Sequence, residues 1–136
     1  MKKLAIIGRI LFALPFGLMG VNHFLMTNVF VGMMSSFIPG GAYTILLTGV
    51  ILILASIFII LNFNLKFVCF GLAGLLVIFI VTIHIPGLFD ADPKIVQTSL
   101  IELLKDTALT GGAIMIALYS DALKQLELSQ KKGKLK

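Results

Sequence analysis

Five polar side chains in this chain have the types and positions that could do chemistry: Asn22, His23, His84, Lys105 and Asp106. The two histidines are the only ones in the chain. A histidine beside a carboxylate can take up and release a proton near neutral pH. Imidazole, amide and ammonium groups can also donate hydrogen bonds to a ligand carbonyl. The residue types therefore indicate proton transfer, or hydrogen bonding to a small ligand with carbonyl groups.

The elements that must position these side chains are strongly apolar. Of the 136 residues, 59% are hydrophobic and only 12% are charged, whereas soluble domains carry about 25% charged residues. The composition predicts an integral membrane protein whose first partner is the lipid bilayer. A helix needs about 20 apolar residues to cross that bilayer, so the length allows one membrane domain and no separate soluble module. The net charge of +5 lies mostly at the termini, which argues against nucleic-acid binding.

The predicted fold class is an all-α membrane protein, a four-transmembrane-helix bundle. The predicted spans cover about 4–26, 42–61, 67–85 and 103–123, and a basic C-terminal tail follows at 124–136. Only Lys94 and Lys105 would lie in outer loops if the N-terminus is inside. Because basic residues concentrate on the cytoplasmic side, we predict cytoplasmic N- and C-termini. The expected location is a bacterial cytoplasmic (inner) membrane.

The first outer loop is uncharged and predicts a short amphipathic helix ended by Pro39. Apolar residues recur there at i, i+3, i+4 and i+7, which is one face of a helix. An irregular apolar loop is the alternative. Together with the end of the first span, this face would form a candidate apolar pocket comprising Phe24, Phe30, Met33, Met34 and Phe37.

The topology places the polar residues at one depth, near the outer face. His23 lies at the end of the first span, His84 at the end of the third, and Lys105-Asp106 at the start of the fourth. On a regular helix His84 aligns with Val77. Asp106 or Glu102 could accept a hydrogen bond from either imidazole. The alternative is that each residue simply ends a helix where water begins.

Small residues predict where the helices approach closely. The second span, rich in Ile and Leu, is expected to face lipid most. The candidate small-residue positions are Ala13, Gly17, Gly20, Gly71, Gly74, Ala108, Gly112, Ala113 and Ala117.

Several segments together resemble the DoxX family of small four-helix membrane proteins. They are the opening GRILFALPFGLMGVNHF, the loop end FIPGG, the HIPG that closes the third span and LLKDTALTGGAIMIAL in the fourth. The resemblance covers about residues 6–120 and implies a membrane subunit associated with an oxidoreductase, as in thiosulfate:quinone and quinol-oxidase-linked complexes. It carries over to Gly20, His23 and Phe24, to His84, and to Lys105-Asp106. Related redox proteins of the wider group use cysteine pairs, whereas this chain has only Cys69.

The function predicted from these features is a DoxX-like, quinone-interacting membrane subunit of a membrane-associated oxidoreductase. His23, His84 or Lys105 would donate hydrogen bonds to the quinone carbonyls, and Asp106 would orient one of these donors. No covalently bound cofactor and no metal site are predicted, so electrons would come from a soluble or membrane oxidoreductase partner. The alternative is a non-catalytic scaffold or assembly factor for a partner complex. The sequence leaves open whether the protein is catalytic, and its oligomeric state.

Overall fold

The computed structural model describes residues 2–34 and 38–133, with the backbone alone described for Lys2, Asp121 and residues 123–133. These residues form helices joined by turns. The elements are α1 Lys2–Leu25, α2 Thr27–Met33, α3 Ala42–Ile60, α4 Leu65–Phe79, a π-turn at Ile80–His84, α5 Ile85–Gly87 and α6 Pro93–Gly133.

Among the described residues, three helical stretches are long and apolar enough to cross a membrane: Lys3–Leu25, Ala42–Ile60 and Leu65–Gly87. They match the first three predicted spans and fit an integral membrane protein. The predicted fourth span, 103–123, lies inside α6, which is not among the three. Lys105 and Asp106 lower the hydropathy of that part of α6. The helix also continues through most of the predicted basic tail, as far as Gly133.

The start of α6 follows the capping pattern that Asp92-Pro93 predicts. The Asp92 carboxylate accepts a hydrogen bond from the Lys94 amide at 2.9 Å. Pro93 occupies the first helical position, where no amide hydrogen is needed. The cap therefore determines where α6 begins. The start of the helix in turn sets the position of each later residue along the helix axis.

The helices pack as two pairs. Helix α1 lies against α3, α4 lies against α6, and contacts between α3 and α4 join the pairs. The Phe12 ring on α1 reaches Gly112 on α6. The buried core between the pairs comprises Ala13, Phe16, Leu52, Ala55, Ile59, Leu65, Cys69, Leu72, Ala73, Leu76, Ala113 and Ala117.

The expectation that the second span faces lipid most is wrong. In α3, 33% of the apolar stretch is buried, against 17% in α1 and 22% in the Leu65–Gly87 stretch. Helix α3 is more buried because it contacts both α1 and α4. Its mean hydropathy reports that its residues are apolar, but not that one face carries the small residues Gly49, Ala55 and Ser56, all of them buried.

Two facing glycines let α1 and α3 approach closely. A methyl group added at Gly20 would lie 2.7 Å from the Gly49 carbonyl oxygen, and one added at Gly49 would lie 3.0 Å from the Gly20 carbonyl oxygen. Gly20 was a predicted packing position, whereas Gly49 was not. The prediction for Gly71 and Gly74 is wrong, since an added methyl at either would meet nothing within 4 Å.

At the other end of the bundle, Arg9 ties α1 to the end of α3. Its guanidinium donates to the Asn62 side-chain oxygen and, at 3.4 Å, to the Ile60 carbonyl. The last carbonyls of a helix lack intrahelical donors, and a cation stabilises them. Asn62 itself is left-handed, with φ 60°, which reverses the chain toward α4. Arg9 therefore has protein acceptors on α3 and in the turn that follows it.

We expect Arg9→Met to lower the free energy of unfolding by about 1.5–3 kcal/mol, the usual worth of hydrogen bonds to a charged group. The substitution keeps the apolar stem and removes the donors. SDS titration of the protein in detergent measures the change. Lys3→Met, at an exposed position on the same helix, is the control, and an equal effect of both substitutions would contradict this role of Arg9.

Candidate functional site

The π-turn at Ile80–His84 determines where His84 points. On a regular helix, His84 would share a face with Val77, seven residues earlier, and Val77 and Val81 are 46% and 56% exposed. A π-turn adds one residue to a helical turn, which rotates everything after it by roughly 100°. The Ile85 amide accordingly bonds to the Ile80 carbonyl. As a result, His84 leaves the exposed face and turns toward α6.

Local side-chain bonding accompanies the widened turn. The Thr82 hydroxyl donates to the Ile78 carbonyl at 2.6 Å. Beyond the turn, Gly87 allows a tight approach to α6, because an added methyl would lie 2.1 Å from the Ser99 hydroxyl. The Gly87 contact holds the end of this helix against Ser99 of α6.

His84 and Asp106 form the central pair of the candidate site. His84 Nε2 lies 3.1 Å from Asp106 Oδ2, and the two side chains are 12% and 6% exposed. Asp106 occupies the face of α6 that packs against α4, as do the buried Ser99 and Ala113, each seven residues away along the helix. The sequence allowed either carboxylate, Asp106 or Glu102, to pair with either imidazole, and the structure pairs His84 with Asp106 across two helices.

Two further charged side chains complete the cluster. The Lys105 ammonium donates to the Glu102 carboxylate and lies 3.7 Å from Asp106 Oδ1. Lys105 and Glu102 are 39% and 33% exposed, so this side of the cluster is open. One ligand atom each from His84, Glu102 and Asp106 lie within 4.8 Å of one another.

The arrangement defines which histidine nitrogen can act. An ionised Asp106 accepts a hydrogen bond from the Nε2–H group of His84, which leaves Nδ1 to exchange a proton with a ligand. The carboxylate also stabilises the imidazolium that forms when Nδ1 is protonated. This is the division of roles in a catalytic His–Asp pair, where the acid orients and the imidazole transfers the proton.

His23 has different partners. Its ring packs against Phe30 of α2 with centroids 4.3 Å apart, and its Nδ1 lies 2.8 Å from the Met19 carbonyl. Because a carbonyl can only accept, Nδ1 carries the proton and Nε2 of the neutral ring is an acceptor. His23 is 7% exposed and lies against Gly49 of α3. The contacts that the structure gives it are thus with α1, α2 and α3, whereas His84 contacts α6.

The remaining two candidates, Asn22 and Lys105, lie in different parts of the structure. Asn22 is half-buried on α1, one residue before His23 and so about 100° away around the helix. Lys105 belongs to the His84 cluster. The structure therefore brings His84, Lys105 and Asp106 into one cluster, and His23 has a separate set of contacts.

The candidate apolar pocket is only partly formed as predicted. Helix α2 exists and packs against α1 and α3, but it ends at Met33. Met34 is extended, with ψ 133°, so the i+7 face does not continue along a helix. Phe30 covers His23, whereas Met33 is 54% exposed, and Phe37 lies outside the described residues. The helix ends before Pro39, and the Met34 amide closes its last turn on the Val31 carbonyl.

A depression with a mixed polar and apolar lining lies next to this segment, at the junction of α1 and α2. Its volume is about 320 Å³. Phe24 is the one predicted pocket residue in its lining, which comprises Phe24, Leu25, Met26, Thr27, Asn28 and Val29. None of the five polar candidates is in this lining.

Comparison with protein-family models, curated proteins and solved structures found no match. The resemblance to the DoxX family therefore rests on the sequence motifs alone. We therefore infer the chemistry of the site from its geometry.

Sequence reasoning missed two features of the site. Glu102 was considered as a hydrogen-bond acceptor but not as a site residue, although its position four before Asp106 places both carboxylates on one helix face. The π-turn carried no recognised signal, because helical periodicity assumes one constant twist. The available hint was that a titratable His84 aligned with an otherwise wholly apolar face.

Proposed function

We propose that the chain is a DoxX-like membrane subunit that binds a quinone headgroup at the His84–Asp106 pair and exchanges protons with it. The observation that carries this proposal is the buried contact between His84 Nε2 and Asp106 Oδ2 at 3.1 Å. It presents an oriented imidazole at the end of an apolar helix, next to the open side formed by Lys105 and Glu102.

The proposed reaction needs protons and electrons in equal number. Reducing a quinone to a quinol takes two electrons, which a partner oxidoreductase supplies, and two protons. The His84 imidazolium gives one proton from Nδ1 to a quinone oxygen, and water at the open side supplies the other. Asp106 holds the ring and stabilises its charged form, and the Lys105 ammonium donates a hydrogen bond to the second carbonyl. Quinol oxidation is the same sequence reversed.

The proposal includes the topology that such a site requires. Four spans would cross the membrane, with α6 as the fourth, and both termini would be cytoplasmic. The His84 end of the bundle would then lie near the outer face, where water can deliver protons and lipid can deliver a quinone. The low number of basic residues in the two predicted outer loops supports this orientation.

We expect His84→Gln to weaken quinone binding at least about tenfold, because the ring nitrogen that contacts the ligand is lost. The measurement is titration of the purified protein in lipid nanodiscs with a short-chain ubiquinone and a short-chain menaquinone analogue. His23→Gln is the matched control, since the Nδ1–H group of His23 already donates a hydrogen bond to the Met19 carbonyl.

Two results would contradict the quinone proposal. One is the absence of saturable binding by the native protein to either quinone type. The other is an equal loss of binding in the His23→Gln and His84→Gln variants. Circular dichroism and monodispersity in detergent establish that each variant is folded.

The second candidate function is a non-catalytic scaffold or assembly factor. The same contact favours it, because the His84–Asp106 pair joins the end of one helix to the face of α6 and could serve packing alone. In that case His84→Gln would lower the stability of the protein or of its complex, while the native protein would bind no quinone.

A further inference from the structure

We propose that His84, Glu102 and Asp106 form a binding site for a divalent transition-metal ion, with Zn²⁺ the best-suited ion, and that Lys105 competes with the ion for the site. The proposal uses residues of the quinone site but does not depend on a quinone. It also departs from the sequence, which predicted no metal site.

The three ligand atoms are close to the separation that zinc requires. Zinc binds nitrogen and oxygen at about 2.0–2.2 Å in a tetrahedron, so its ligand atoms lie roughly 3.4 Å apart. The His84 Nε2 to Asp106 Oδ2 distance is already 3.1 Å, and all three ligand atoms lie within 4.8 Å of one another. A shift of up to roughly 1.4 Å by the half-buried Glu102 side chain would complete the triangle.

The backbone is built to hold these ligands. Glu102 and Asp106 are four residues apart on α6, so their side chains project from the same face. The π-turn brings His84 to them from the neighbouring helix. Asp106 is 4% exposed and cannot move far, which makes it the fixed point of the set. Three protein ligands leave a fourth position open to water or another ligand, as in catalytic rather than structural zinc sites.

In the structure, the Lys105 ammonium interacts with the carboxylates that would bind the metal ion. Its ammonium donates to Glu102 and lies 3.7 Å from Asp106 Oδ1, so it neutralises the charge that two carboxylates would otherwise concentrate there. The side chain is 39% exposed and can turn into solvent when an ion binds. At the same time the His84 proton would move from Nε2 to Nδ1, which frees the Nε2 lone pair for the metal.

The donor set selects the class of ion. One imidazole and two carboxylates suit Zn²⁺ and similar borderline ions, whereas Mg²⁺ and Ca²⁺ prefer oxygen ligands alone and more of them. A bound metal would also occupy the nitrogen that Asp106 orients. The metal-bound and proton-exchanging states of the pair are therefore mutually exclusive.

The test is Zn²⁺ binding by tag-free full-length protein in detergent, measured by isothermal titration and by competition with a chelating dye. We expect one ion per chain. His84→Gln should weaken binding at least about 100-fold, because even the loss of a residue that only supports a ligand costs 10–100-fold. Lys105→Met should tighten binding about tenfold, since it removes the competing ammonium.

The control variants are His23→Gln, which removes the other histidine, and Asp90→Asn, which removes an exposed loop carboxylate. Both should bind Zn²⁺ like the native protein. Absence of stoichiometric binding, an unchanged affinity in His84→Gln, or weaker binding in Lys105→Met would each overturn the proposal. No quinone is present in this experiment, so its failure and the failure of the quinone proposal are distinguishable.

Discussion

Asp106→Ala is expected to lower the free energy of unfolding by about 1–3 kcal/mol, the penalty for leaving a buried polar group without its partner. The His84 ring would remain between α6 and the preceding helix with no acceptor for its Nε2 proton. The two side chains are only 12% and 6% exposed, so water can replace the lost carboxylate only in part. SDS titration in detergent measures the effect.

Asp106→Asn separates the hydrogen bond from the charge. The amide oxygen can still accept from His84 Nε2, and the volume is nearly unchanged, so most of the stability should return. The negative charge that stabilises an imidazolium does not return. Quinone-linked proton exchange and Zn²⁺ binding should therefore stay low in both variants. Equal stability of Asp106→Ala and the native protein would show that the pair does not hold the helices together.

Gly20→Ala is expected to destabilise the protein by about 1–3 kcal/mol, and Gly20→Leu to prevent folding, because the α1–α3 interface has no room for a side chain. The added methyl would lie 2.7 Å from both the Gly49 carbonyl oxygen and the Ile53 side chain. The carbonyl belongs to the α3 backbone and cannot rotate away, so the helices must separate.

Gly71 provides the matched control for Gly20. It lies in the middle of an apolar helix, and an added methyl there would meet nothing within 4 Å. Gly71→Ala should leave the stability unchanged or raise it slightly, since alanine favours a helix over glycine. Thermal unfolding and monodispersity in detergent distinguish the two positions. If Gly20→Ala proved as stable as Gly71→Ala, the close approach of α1 and α3 would be refuted.

The sequence predicted the apolar helices well because hydropathy over about 20 residues reports directly on the capacity to cross a bilayer. It predicted the burial of α3 poorly, since hydropathy does not distinguish a lipid-facing Leu from a core Leu. Leu52 of α3 is in fact 2% exposed, whereas Leu54 is 45% exposed. Neighbours in space, and not composition, make that difference.

The candidate site was predicted in part for a related reason. The predicted depth in the membrane is the same for His84 and Asp106, because both lie near the ends of apolar stretches. This prediction correctly associated the two residues. Depth could not say which histidine would join the carboxylates, since that depends on rotation about the helix axis. His23 and His84 were equivalent by depth, and their contacts with Phe30 and Asp106, respectively, distinguish them.

The π-turn has a consequence for any substitution scan of the Leu65–Gly87 stretch. The scan should show two phases of tolerance rather than one. Up to Phe79, sensitive positions should follow Leu72 and Leu76, both buried. After the turn, the positions that are sensitive to substitution should be shifted by about one residue along the sequence. His84 should be the first of them. A single helical wheel drawn through the whole stretch would average the two phases, and would hide the residue on which the site depends.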